Sequence, residues 1–245
     1  WPWPWDAMLN HRLREQSLNF CILKLDCTVQ SSRSEAQGTN FMSHFIETIA
    51  NDNRNRLLRA AVEVFMEEGY GASMDRIASR AGMARQTLYN HFACKNDLFS
   101  EVAHMTASAI LVSLEGDAEN IREHLLRFGT ILRQKALCTE GLAMFRTLSA
   151  EAHRFPDLAL AVLEKGPEQT ARRLTEFLAL AMDEGTLMRD DPRFVAEMLI
   201  SMLDGFDRTR GLLGAPLLSG AQEQARVTRI IDCFLLAYGP EKQRR

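Results

Sequence analysis

The stretch Ala81-Gly82-Met83-Ala84-Arg85-Gln86-Thr87-Leu88-Tyr89-Asn90-His91-Phe92 decides the fold. It reads as a tight turn leading into a short helix. Leu88 and Phe92, four apart, share one face and plug inward. Arg85, Gln86, Thr87, Asn90 and His91 are left facing out, with the Tyr89 ring beside them. Such a face is hydrogen-bonding and cationic, which suits insertion into a DNA major groove.

Working back from that stretch, Leu58, Ala61, Val62 and Phe65 recur at helical spacing. Gly69 and Gly71, on either side of Tyr70, end that helix. Ser73 is a good N-cap for a second helix, whose stripe is Met74, Ile77, Ala78 and Ala81. Gly82 supplies the turn and the third helix spans about Arg85 to Phe92. A fourth helix runs from near Lys95 to about Glu115, with Leu98, Val102, Met105, Ala109 and Val112 inward. Two helices joined by a tight glycine turn form a helix-turn-helix, and the first helix packs across them. An ordinary helical hairpin is the competing reading. The turn, the short second helix and its polar face occurring together argue against it.

Beyond residue 116 the pattern is helical almost throughout, with helices expected at 119–137, 139–153, 156–184, 192–212 and 221–238. Gly166-Pro167 should kink or split the third of these. Asp191-Pro192 marks a helix start. One helix offers Phe194, Val195, Met198, Leu199, Met202, Leu203 and Phe206, and the last offers Val227, Ile230, Ile231, Phe234, Leu235 and Tyr238. These faces are wide enough to suggest a four-helix interface between two copies, with Met198, Met202, Phe206, Ile230 and Phe234 as contacts. A buried core helix in a single chain is the plainer alternative.

Residues 1–41 mix Pro-Trp repeats with a polar stretch and show little periodicity, so they are expected to be disordered or a non-native extension ahead of Met42. Docking of the tryptophans on a partner is the other reading. The opening Trp-Pro-Trp-Pro-Trp-Asp lacks the basic-then-apolar order of a secretion signal. No run approaches the roughly 18 apolar residues of a membrane span. The expected compartment is therefore the cytoplasm, with no membrane partner.

The formal net charge of −3 does not resemble a nucleic-acid binder, so the distribution matters more. Over residues 50–100, Arg54, Arg56, Arg59, Arg76, Arg80, Arg85 and Lys95 outnumber Asp52, Glu63, Glu67, Glu68, Asp75 and Asp97 by one. The cations fall at helix ends and turns, within reach of phosphates. Five cysteines (Cys21, Cys27, Cys94, Cys138 and Cys233) form no CxxC pair, which argues against zinc and a disulfide framework. Cys138 and Cys233 are expected as small buried hydrophobes; Cys94 lies near the reading helix. No cofactor or metal is expected. An enzyme is disfavoured: there is no phosphate-cradling glycine loop, no GxSxG and no metal-spaced histidine cluster.

Residues 54–102 resemble the N-terminal domain of the TetR/AcrR family of bacterial transcriptional regulators. The resemblance rests on Arg-Asn-Arg-Leu-Leu-Arg-Ala-Ala-Val-Glu-Val-Phe, Gly-Tyr, Ser-Met-Asp-Arg-Ile-Ala, Ala-Gly-Met-Ala, Thr-Leu-Tyr-Asn-His-Phe and Lys-Asn-Asp-Leu-Phe in that order. Met144-Phe145-Arg146 and Phe155-Pro156-Asp157 are similar to its AefR-like branch. The resemblance implies an all-α fold with a three-helix helix-turn-helix DNA-binding domain over 50–98 and a helical ligand-binding and dimerisation domain over 99–240, which leaves 1–49 as the disordered or non-native extension. It further implies a homodimer on a palindromic double-stranded operator, most often a repressor released by a small-molecule effector.

Carried over by position, the resemblance places Gln86, Thr87, Tyr89 and His91 at DNA. Tyr89 and His91 suit phosphates, while Arg85, Gln86 and Asn90 suit base edges. Tyr89 also suits partial core packing with its hydroxyl outside. Lys95, at a helix N-terminus, would hold a phosphate together with backbone N–H groups, and Ser73 offers its neighbouring N–H groups similarly. Ala84 departs from the Ser or Thr frequent there, removing a cap worth about 1 kcal/mol. An effector pocket is sought among Phe128, Leu132, Met144, Phe145, Arg146, Leu148, Phe177 and Met182, against the plainer reading of these as core. Two other hypotheses stay open: a helix-turn-helix that binds protein partners, and a DNA binder without a ligand.

Overall fold

The computed structural model describes residues 40–115 and 120–240, with side chains from Asp52 onward. The extension expected over 1–49 lies outside these residues, apart from backbone helix that begins at Asn40. The chain divides after Ala50, and all that follows concerns the unit Asn51–Arg245.

The described residues are helical, without strands. They comprise α1 (Asn40–Glu68), α2 (Met74–Arg80), α3 (Arg85–His91), α4 (Lys95–Leu111), α5 (Ile121–Leu137), α6 (Thr139–Glu151), α7 (Pro156–Leu163), α8 (Gln169–Asp183), α9 (Pro192–Leu212) and α10 (Gly220–Tyr238). Caps set several of the starts. The Ser73 hydroxyl accepts from Arg76 N at 3.1 Å, Asn120 Oδ1 from Glu123 N at 3.0 Å, and Asp191 Oδ1 from Arg193 N at 2.9 Å. Helix α1 starts at Asn40, well ahead of Leu58, the first apolar residue of the stripe read from the sequence.

The helix expected over 156–184 is two. Between α7 and α8 lies a single π turn, Glu164–Glu168, containing Pro167. Proline lacks the N–H for the α ladder and its ring presses on the preceding turn, so the helix widens there. Thr170 Oγ1 donates to the Gly166 carbonyl at 3.1 Å, beside the backbone N–H of Gln169. Gly166 also lets α4 approach: a Cβ there would stand 3.3 Å from the Ala103 Cβ.

Two cores result. The first joins Leu57, Leu58, Ala61, Val64 and Phe65 of α1 with Ile77, Leu88, Phe92, Leu98, Phe99 and Val102, and takes Leu158 and Val162 from α7. The second joins α5, α8, α9 and α10 through Leu125, Phe128, Leu174, Leu178, Leu199, Leu203, Val227, Ile231 and Phe234. Helix α4 runs through both, so the division expected between residues 98 and 99 falls inside one helix.

Within the second core, α9 bends at Gly205, whose φ of 27° and ψ of −128° are not helical. Arg133, 2 % exposed, spans the bend. It donates to the Leu203 carbonyl, to Asp207 Oδ2 at 2.9 Å and, through Nε and Nη2, to both Glu223 oxygens at 2.5 and 2.9 Å. None of this was visible in the sequence, because Arg133 and its partners lie on three helices, α5, α9 and α10, far apart in the chain.

Cys138 and Cys233 differ from the expectation of buried hydrophobes. Cys138 is half-buried at the start of α6, its Sγ 3.4 Å from Gly141 N, and Cys233 is exposed on α10. The inward face of α10 is taken by Val227, Ile231 and Phe234, which turns Cys233 outward.

Candidate nucleic-acid interface

The turn between α2 and α3 is closed by backbone bonds from Gly82 N to Ser79 O at 3.0 Å and from Met83 N to Ala78 O at 2.9 Å. Gly82 takes φ +66°, which a side chain would strain. Arg56 of α1 donates to the Ala81 carbonyl at 3.0 Å and ties the turn to the first helix. Leu88 and Phe92 are 0 % and 1 % exposed, so α3 is plugged into the first core as its spacing predicts. Ala84 is extended and provides no side-chain cap.

This anchoring leaves Arg85, Gln86, Tyr89 and Asn90 exposed and Thr87 and His91 half-buried. The outward groups are held only loosely. Arg85 pairs with Asp75 at 3.0 Å and lies 5.3 Å over the Tyr89 ring, while Gln86 Nε2 donates to Asn90 Oδ1 at 3.0 Å. Exposed pairs of this kind are worth about 0–1 kcal/mol, so a better acceptor can displace them. Tyr89 has its ring 37 % exposed, between packing and the surface.

Lys95 and Ser73 flank this face and both already have partners. Lys95 Nζ donates to the carbonyls of Tyr70 at 2.6 Å and Ala72 at 3.1 Å and lies 4.5 Å from the Tyr70 ring centroid. Its burial pushes the ammonium below its ordinary range, against the pull of Glu151. Two of the three ammonium donors are thus spent on carbonyls. Ser73 uses its oxygen to cap α2 and keeps its hydroxyl proton.

Sequence reasoning treated Tyr70 only as a helix end. Its ring packs on Phe65, Phe99 and Phe155 and its hydroxyl donates to Asn96 Oδ1. It thereby joins α1, α4 and the loop before α7 behind the turn. An aromatic between two glycines was the only available sign. Glu101 of α4 was also missed: it accepts from Arg54 of α1 and from Lys165 of the π turn at 2.6 Å.

The residues expected around an effector do not meet at one cavity. Phe128, Leu132 and Met182 are buried in the second core, with Phe177 half-buried against it. Met144 and Leu148 pack on the first. Phe145 is exposed under the Arg208 guanidinium, and Arg146 donates to the Gly211 and Leu212 carbonyls at 2.7 and 3.2 Å.

Of the expected interface residues, Met202 and Phe206 are exposed, Met198 and Ile230 half-buried, and Phe234 buried behind them. An open groove of about 520 Å³ runs along the outer face of α10 past Ala221, Ala225, Thr228, Cys233 and Leu236. Among the described residues no His, Cys, Asp and Glu side chains group as metal ligands, and no helix is long and apolar enough to cross a membrane.

Comparison with known proteins fits this geometry. Residues 57–102 match bacterial regulatory proteins of the tetR family, and residues 123–240 match the C-terminal domain of AefR-like transcriptional repressors. The HTH-type transcriptional activator FasR of Mycolicibacterium smegmatis is 47% identical over 53 residues, 21% of this chain but only 24% of FasR. The HTH-type transcriptional regulator UidR of Escherichia coli is 28% identical over 140 residues, 56% of this chain and 68% of UidR. Among solved structures, the flavonoid-responsive regulator FrrA superposes with a TM-score of 0.61 at 29% identity, covering 78% of this chain and 99% of FrrA. These relatives are transcriptional regulators, not enzymes.

Proposed function

The chain belongs to the TetR family of bacterial DNA-binding transcriptional regulators, and from that premise we propose that it is a cytoplasmic homodimeric repressor released from a palindromic operator by a small molecule. The observation that carries the DNA reading is the outward face of α3: Arg85, Gln86, Tyr89 and Asn90 are exposed and bonded only to one another and to Asp75. Base edges would take Arg85, Gln86 and Asn90. Phosphates would take Tyr89, His91, the third donor of Lys95, and the Thr87 and Ser73 hydroxyls.

The exposed Met202 and Phe206 of α9 and the open groove along the outer face of α10 support a two-fold four-helix interface. Such a dimer would set its two α3 helices ~34–36 Å apart on one side of the duplex. The flavonoid-responsive character of FrrA supports an effector in the C-terminal half. Effector binding would favour a dimer whose spacing no longer matches the two half-sites.

The test is a titration of the purified protein against its own upstream DNA at two salt concentrations. Specific binding that weakens steeply with salt is expected, since each phosphate contact contributes a slope of about −0.9 in log affinity against log salt. Salt-insensitive or absent binding by a folded dimer would favour the alternative, action through protein partners, which the near-neutral charge of the α1–α4 region permits.

A further inference from the structure

Arg133 and Arg127 lie six residues apart on α5 and have opposite fates. Arg133 turns the edge of its guanidinium formed by Nε and Nη2 onto Glu223, one donor to each carboxylate oxygen. That edge is a fixed two-pronged fork which matches a carboxylate. In Arg127 the same two atoms, Nε and Nη2, are buried and meet no acceptor among the described residues. Arg127 as a whole is half-buried, but a guanidinium edge withdrawn from water without an acceptor is costly, and native structures seldom keep one without a use.

The neighbours indicate what would fill it. His124, Arg127 and Ile131 share one face of α5 by their spacing. The His124 ring meets Phe177 of α8 at 5.3 Å, and both Ile131 and Phe177 pack on the second core. Phe177 is also one of the residues that sequence alone marked for a pocket. An apolar, aromatic surround with one oriented fork binds a molecule that has an apolar body and a single planar anion.

We propose that the effector is an organic carboxylate, held by Arg127 as Arg133 holds Glu223, with its body between α5 and α8. This rests on the reading of the chain as an effector-controlled regulator and names the chemical class of that effector. The carboxylate supplies the acceptors that this edge of Arg127 lacks among the described residues, so binding stabilises the α5–α8 pair.

The test uses the full-length protein with a panel of straight-chain and aryl carboxylates, among them octanoate and 3-phenylpropionate, and their primary amides. Thermal unfolding and operator release are read for wild type, Arg127→Met and Arg127→Lys. At least one carboxylate should raise the wild-type midpoint and release DNA at millimolar concentration, while its amide does neither. Losing two charge-assisted hydrogen bonds should weaken that effect roughly tenfold to a hundredfold in Arg127→Met. Arg127→Lys keeps the charge without the fork and should fall between. Without ligand, Arg127→Met should be at least as stable as wild type, because it removes two buried donors that meet no acceptor among the described residues.

A ligand-free Arg127→Met less stable than wild type overturns the proposal, since Arg127 would then have a structural partner. So does a panel with no active carboxylate, or amides acting as well as acids. Operator binding without ligand, equal in wild type and Arg127→Met, keeps the regulator reading standing whichever way the carboxylate result falls.

Discussion

The two cores are closed in opposite ways. The first, around α1 to α4 and α7, has no buried charged side chain among its described residues; its ions, Glu101 between Arg54 and Lys165, sit at the margin. The second carries Arg133 and Asp207 inside it at 2% and 5% exposure. The first holds α3 in place by shape, with Leu88 and Phe92 as plugs. The second must also hold a helix bent at Gly205, whose irregular turn leaves a carbonyl in need of a donor, and Arg133 provides one. Apolar packing positions α3, while charge pins the bend of α9.

Breaking the second device has the largest expected effect. Arg133→Ala leaves Asp207 buried without its main counter-ion and should cost about 4 kcal/mol in denaturant unfolding. Pairing Arg133→Met with Asp207→Leu should recover much of that, because the buried charges are then gone together. A double variant as unstable as the single one would mean that the ions shape the bend rather than balance each other.

In the first core the corresponding break is Leu88→Ala, expected to cost about 3 kcal/mol through the cavity left under α3. Its neighbour Tyr89→Ala should leave stability within about 0.5 kcal/mol, as an exposed position does, yet weaken operator binding. The contrast of adjacent residues tests whether one side of α3 folds and the other reads. Equal losses of stability in both would refute the division.

Acid should sharpen the comparison further. Burial alone would raise the Asp207 carboxyl, but the hydrogen bond and charge of Arg133, with Arg226 and Arg210, outweigh it and hold the group below its ordinary range. Glu101 follows the same rule, burial being overcome by Lys165 and Arg54. A depressed carboxylate gives stability that is complete above its unfolded value of about 4 and is lost as pH falls through the lower folded value. Thermal midpoints below about pH 4 should therefore fall less steeply in Glu101→Gln and in Asp207→Asn than in wild type. Acid limbs unchanged in both variants would leave the ion pairs without a part in stability.

The same contrast explains what the sequence disclosed. The first core was legible because its signals are local: Ser73 caps, Gly82 turns, and Leu88 and Phe92 repeat at four. In the second half the helices were legible from their stripes and the break at Gly166-Pro167 from its chemistry. The bend at Gly205 was not, since a glycine within a long helix is usually tolerated. Nor was the Arg133 network, whose partners Asp207 and Glu223 are on other helices, or the inward position of Phe234, which shares its stripe with half-buried Ile230. Arg127 and Arg133 look alike in sequence, and only packing tells them apart.

The smallest expected effect concerns the start of α3. Ala84 has φ −67° and ψ 145°, the extended backbone an N-cap adopts, but its methyl accepts nothing. Thr87 N and Leu88 N bond to the Ala84 carbonyl at 3.0 and 3.3 Å. Ala84→Ser adds an acceptor for the first-turn N–H groups without moving the backbone and should raise stability by about 1 kcal/mol. A helix of seven residues is too short to persist by itself, so its order comes from Leu88 and Phe92 in the first core. If shape already fixes α3, operator affinity should change less than about twofold, because the new cap stabilises free and bound protein alike. An affinity that rises in step with the added stability, about fivefold for 1 kcal/mol, would show instead that α3 frays when free and is ordered by DNA. The first core would then guide the reading helix without fixing it, and the contrast with the pinned bend of α9 would be one of degree.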